Sequence, residues 1–121
     1  QVRRAQVKIQ ENIQEGVAVL TLKGKMMGGP DMQDLHDHVK GLLSDGVKQV
    51  VIDLGKVKWL NSSGLGALMG ALTTVRNDGG DLKLANTSDK IQSLLMITKL
   101  MNIFETHETV EKAVAAFGEA N

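Results

Sequence analysis

Val50, Val51 and Ile52 follow one another without a polar break inside KQVVIDLG, residues 48–55, and this run constrains the fold more than any other part of the chain. A strand with one face in water alternates apolar and polar residues. An unbroken run belongs to a strand covered on both faces, which predicts a central, parallel strand with helices packed on the sheet. Both flanks supply the helices. Before the run, Met32, Leu35, Val39, Leu42 and Leu43 recur at helical spacing, and Ser44, Asp45 and Gly46 end the pattern. After it, Leu65, Leu68, Met69, Leu72 and Val75 mark one face of a second helix, stopped by the glycines of residues 77–80. Strand, helix and buried strand in succession imply a right-handed crossover.

The remaining segments complete the pattern. Residues 7–13 and 17–24 alternate as half-buried strands, and Gln14, Glu15 and Gly16 join them too tightly for anything but an antiparallel hairpin. KMMGGP, residues 25–30, contains the only proline and two glycines, so regular structure is expected to stop there, with Asp31 as the cap of the next helix. Residues 81–85 read as a strand, Thr87 or Ser88 caps a helix running to about Thr98, Ile103 and Phe104 form a last extended piece, and Thr109 caps residues 110–117. The order is ββαβαβαβα. This predicts one α/β domain over residues 1–121, its core at 7–117, with a mixed, mostly parallel sheet of four to five strands and about four helices.

Composition narrows the function classes. At 121 residues and 42% apolar, the chain is long enough for one core and too short for two enzyme-bearing domains. The absence of cysteine excludes a disulfide framework, a thiolate zinc site and a cysteine nucleophile. Fourteen basic residues balance 14 acidic ones, so the diffuse attraction to polyphosphate that drives nucleic-acid binding is missing. Zero net charge also permits a homodimer. No apolar run approaches the roughly 18 to 20 residues of a membrane span, and QVRRAQVKIQ lacks the apolar stretch of a secretory signal. A cytoplasmic location without membrane insertion is expected, while a start at Gln1 rather than methionine leaves room for a preceding segment.

WLNSSGLG, residues 59–66, stands where binding and chemistry usually sit in an open α/β sheet, between a buried strand and the next helix. Its hydroxyls, amide and glycines share a helix N-terminus, where outward N–H groups and the helix dipole favour negative charge by about 0.3 to 1 kcal/mol. A phosphate can arrive on a ligand or be attached to a serine. The same residue types are also ordinary caps. Other chemistries lack their patterns. His36 and His38 are two apart on a helix and face different ways, and His107 reads as a solvated loop residue. The serines are not in G-x-S-x-G, and no phosphate-loop motif accompanies KMMGGP. Trp59 reads as core or rim packing.

The segment VIDLGKVKWLNSSGLGALMGALTTVRNDGGDLKLAN resembles the signature of the STAS domains, the family of bacterial anti-sigma factor antagonists. The resemblance lies in a hydrophobic strand ending in an acid and Leu (Val50, Val51, Ile52, Asp53, Leu54), in Asn61, Ser62, Ser63, Gly64, Leu65 and Gly66, and in Gly79 and Gly80 before the next strand. Gly24 and SLLMITKLMNIF also fall where the family has them. The resemblance implies a non-enzymatic partner switch without cofactor. In such a switch Ser62 is phosphorylated by an anti-sigma factor serine kinase, which binds the unmodified form, and a phosphatase resets it. The implied contact face comprises Met26, Met27, Gly28, Gly29, Asn61, Ser62, Ser63 and Gly64, with the exposed side of the following helix. Two places depart from the family pattern: Asn61 replaces the usual Asp, and Lys25, Met26 and Met27 replace Glu-Leu-Asp. Other expectations for the same residues are a constitutive STAS scaffold or accessory module, in which they only cap, and small-molecule anion or nucleotide binding at the same helix end.

Overall fold

A computed structural model describes residues 7–27 and 29–119. The elements are β1 (Val7–Gln14), β2 (Val17–Met26), α1 (Pro30–Ser44), β3 (Gln49–Leu60), α2 (Ser62–Asn77), β4 (Asp81–Ala85), α3 (Asp89–Ile97), β5 (Glu105–His107) and α4 (Val110–Glu119). One five-stranded sheet runs in the order β1-β2-β3-β4-β5, antiparallel at β1/β2 and parallel elsewhere. The β1/β2 turn is Glu15 and Gly16 at φ 53° and 80°, the primed hairpin geometry that matches strand twist.

The unbroken apolar run lies at the centre of that order, and its covering is divided by strand parity. Val50 and Ile52 join Leu20, Leu22, Leu82 and Leu84 against α1, α2 and α3, whereas Val51 joins Val17, Val19 and Ala85 against Val110, Ala113, Val114 and Phe117 of α4. All three members of the run are fully buried. The helix ends follow side-chain chemistry. Ser88 Oγ accepts from the Ile91 N–H at 3.2 Å, and Thr109 Oγ1 accepts from the Lys112 N–H at 3.1 Å.

Three local expectations are corrected. Asp31 does not cap α1: Pro30 takes the first helical position and Gly29 the cap, at φ 62° and ψ −128°, a conformation open essentially to glycine. Asp31 turns inward, 1% exposed, and its Oδ1 accepts the Val7 N–H at 3.0 Å, fastening the helix start to the edge strand. β2 and β3 run on to Met26 and Leu60, beyond the expected ends at 24 and 55, because their tails pair with each other through register shifts between Thr21 and Lys23 and between Gly24 and Lys25. The last extended piece lies at 105–107, since Ile103 and Phe104 turn back on the Leu100 carbonyl and Phe104 enters the core.

His107 is therefore a strand residue, and it is paired with Glu105 at 2.6 Å. Glu105 also meets the Lys83 ammonium at 2.7 Å, and Lys83 is itself buried under Phe117, 4.5 Å from the ring centroid. Hydrogen bonds from Lys83 and then His107 hold the Glu105 carboxyl below the usual carboxylate range. A depressed carboxylate stabilises the fold at pH values above its unfolded pKa, about 4.3, and that contribution disappears as pH falls through the folded value. Glu105→Gln is expected to cost about 1–3 kcal/mol at pH 7, between the values for exposed and buried pairs. The loss relative to wild type should shrink in strong acid, once pH has fallen through the depressed folded value. Urea unfolding under both conditions checks it; an equal loss in each would mean the ion pair is not the cause.

Candidate functional site at the start of helix α2

The site forms where β2 and β3 end together at the carboxyl edge of the sheet, the position at which α/β sheets usually bind. Asn61, extended at φ −102° and ψ −176°, is its hub. Its Oδ1 accepts the Gly64 N–H at 2.8 Å and its carbonyl accepts the Leu65 N–H at 2.9 Å, so the third and fourth amides of α2 are satisfied. Its own N–H donates to the Met26 carbonyl at 3.3 Å and its Nδ2 to the Met27 carbonyl at 3.4 Å. One side chain thus both caps the helix and ties it to the end of β2. An aspartate would keep the acceptor for Gly64 but lose the donor to Met27, which gives Asn a physical reason here. Asn61→Ala should cost about 1–2 kcal/mol and Asn61→Asp less, by urea unfolding. An Ala variant as stable as wild type would remove Asn61 from this role.

Ser62 and Ser63 open the helix, both exposed. Among the described residues, nothing engages their hydroxyls or accepts their N–H groups, so the two outermost donors of the helix face solvent. The first turn carries no acidic residue, and the cap is neutral. Negative charge placed on Ser62 would meet a favourable dipole and no like charge from that turn. Gly64 is buried, and an added Cβ would fall on the Met26 carbonyl oxygen and 2.8 Å from Leu60 Cδ1. Only glycine lets the helix start this close to β2.

The expected contact residues separate by burial. Met27 is 41% exposed and Gly29 lies at the surface, but the Met26 side chain is fully buried and fills the core, and Gly64 is covered. Gly28 lies outside the described residues. Met32, expected in the core, is 41% exposed instead. With Gly29, Gln33 and His36 it forms one wall of a groove whose other wall is Gly66, Ala67, Gly70 and Ala71 of α2. Ser62, Gly66 and Gly70 stand four apart and so share one exposed helix face with the groove. An added Cβ at Gly66 or Gly70 meets nothing within 4 Å. The fold does not need glycine at either position.

Outside the groove, His38 pairs with Glu11 of β1 at 2.7 Å, and Trp59 is 44% exposed with the Lys90 ammonium 4.6 Å above its ring, rather than packed in the core. Among the described residues, no helix is long and apolar enough to cross a membrane.

The family model of the STAS domain matches residues 6–113. The chain belongs to the STAS domain family. Two bacterial relatives illustrate the similarity. BtrV of Bordetella bronchiseptica is 24% identical over 106 residues, covering 88% of this chain and 90% of that one. The anti-sigma-B factor antagonist of Staphylococcus aureus is 27% identical over 78 residues, covering 64% and 72%. Among solved structures, the Bacillus cell fate determinant SpoIIAA in its phosphorylated form superposes with a TM-score of 0.70 at 16% identity, covering 91% of this STAS domain and 99% of SpoIIAA. The fold expected from the sequence, a mixed and mostly parallel sheet with four helices, is that of SpoIIAA. Both of these relatives, BtrV and the Staphylococcus aureus protein, carry the name anti-sigma factor antagonist.

Proposed function

We propose that this protein is a non-enzymatic partner switch. Unmodified, it binds an anti-sigma factor serine kinase through Met27, Gly29, Asn61, Ser62, Ser63 and the groove face of α2; phosphorylation of Ser62 by that kinase releases it, and a phosphatase restores it. The observation that carries this reading is the setting of Ser62, an exposed hydroxyl at a helix start whose outer amides are unengaged and whose cap is uncharged. The groove supports it. Each helix-interior glycine costs about 1 kcal/mol relative to alanine, and Gly66 and Gly70 occupy open space, so their absent side chains serve something outside the fold. A partner lying close against α2 is such a reason.

Gly66→Ala and Gly70→Ala are accordingly expected to stabilise the protein by up to about 1 kcal/mol each while weakening partner binding. Thermal unfolding and titration of the captured partner check the two halves, and unchanged binding would take the groove out of the interface. The direct test of the proposal is a pull-down from host lysate with wild type, Ser62→Ala and Ser62→Asp as baits. A kinase that follows the first two and drops from the third is the expected result.

One observation favours a second reading, a constitutive STAS scaffold: Asn61 stands where the family usually has an acid, and its side chain is occupied as a cap and tie. In that case all three baits retain the same proteins, indifferent to ATP.

A further inference from the structure

A second surface lies on the other side of Asn61. β3 pairs with β4 only from Gln49 to Asp53, where Asp53 meets Ala85, while on its other side it continues with β2 to Leu60. From Val57 to Leu60 the β4-side edge of β3 therefore has no strand neighbour among the described residues, and its outward N–H and C=O groups form an unfilled ladder. In place of a strand there is a cleft of about 490 Å³, bounded by Val57, Lys58, Trp59 and Leu60 on one side and by one face of α3 on the other. The α3 face contributes Ile91, Leu94 and Ile97, and Ile97 is 79% exposed.

The charge in this cleft has one sign. Lys58 and Lys90 line it and no carboxylate does. Among the described residues neither ammonium has an anionic partner; Lys90 rests on the Trp59 ring. From these three features we infer that the cleft takes an extended, acidic peptide segment of a partner protein. The segment adds to the open edge of β3 as a short strand, sets apolar side chains against Ile91, Leu94 and Ile97, and brings a carboxylate to Lys58 and Lys90. Strand addition explains the combination: the backbone ladder supplies affinity and alternate side chains supply specificity. A helix or an acyl chain would cover the apolar wall but leave the ladder unpaired. The inference does not depend on the state of Ser62.

The test uses a displayed library of random twelve-residue peptides panned on the wild-type protein, with Ile97→Asp as counter-selection. Because Ile97 is exposed, that variant is expected to keep its melting temperature. Enriched peptides should alternate apolar and acidic residues. The best of them, synthesised, should shift the amide resonances of residues 57–60 and the fluorescence of Trp59, the only tryptophan in the chain. Methylating alternate backbone nitrogens of the peptide, or the pair Lys58→Glu and Lys90→Glu in the protein, should each weaken binding at least tenfold. The inference is overturned if enriched peptides are basic or carry apolar residues at helical spacing, if backbone methylation is harmless, or if nothing is enriched over Ile97→Asp.

Discussion

Gly64→Ala is expected to destabilise the protein by about 3 kcal/mol, the upper end of overpacking costs, even though alanine is the better helix former. The reason is position. The new methyl would fall on the Met26 carbonyl oxygen and against Leu60 Cδ1, so the start of α2 would have to lift away from β2. That movement also breaks the hydrogen bond from the Asn61 N–H to Met26 and the longer one from Asn61 Nδ2 to Met27. Neither wall can yield cheaply, since one is backbone and the other is packed against the core. Gly66→Ala, two residues along the same helix, is expected to change stability in the opposite direction. Urea unfolding of the two variants side by side separates close approach from helix propensity. A loss under 1 kcal/mol at Gly64 would mean that α2 does not start against β2 in solution.

The other large effect is expected from charge at Ser62. A phosphoserine adds about 1.5 to 2 negative charges and three acceptor oxygens. In the free protein these meet the unengaged amides of Ser62 and Ser63 at a helix start, which is neutral to favourable by about 0.3 to 1 kcal/mol. Against a docked partner the same charge is buried without a designed counterion, a change of about 2–5 kcal/mol at interfaces. At about 1.4 kcal/mol per tenfold, that weakens binding by roughly 30- to 4,000-fold. Ser62→Asp should reproduce part of the loss, because a carboxylate carries less charge and fewer acceptors. The contrast between an unmoved fold and a lost partner is what a switch requires, and it distinguishes Ser62 from Gly64, where substitution harms the fold itself.

Most of the architecture could be read from local pattern because the residues that decide it act locally. Val50, Val51 and Ile52 announced a doubly covered strand, helical spacing placed α1 and α2, and Ser88 and Thr109 cap as their types suggest. What escaped depends on contacts distant in sequence. The tails of β2 and β3 are strands because each is the other's partner, while Gly55, Lys56 and Lys58 locally read as an ending. Asp31 has a capping side chain, but its hydrogen bond goes to Val7, 24 residues away. Met26 and Met27 look alike in composition. Extending the period of two from Leu20 and Leu22 would have put Met26 inside and Met27 out, as the structure does. At the site, the motif located Ser62 and Asn61 correctly at a helix start, whereas the groove needed α1, and so Met32, Gln33 and His36 had no local signal.

The measurement that tests the switch most directly is a comparison of the protein carrying phosphoserine at residue 62 with its unmodified form. Both are titrated against the kinase retained in the pull-down, and the melting temperature of each is recorded alone. The account expects melting temperatures within about four degrees, since a helix-terminal charge is worth under about 1 kcal/mol, and binding at least 30-fold weaker for the phosphorylated form. Equal affinity of the two forms, with both folded, would contradict it and leave Asn61, Ser62 and Ser63 as the start of a helix and nothing more.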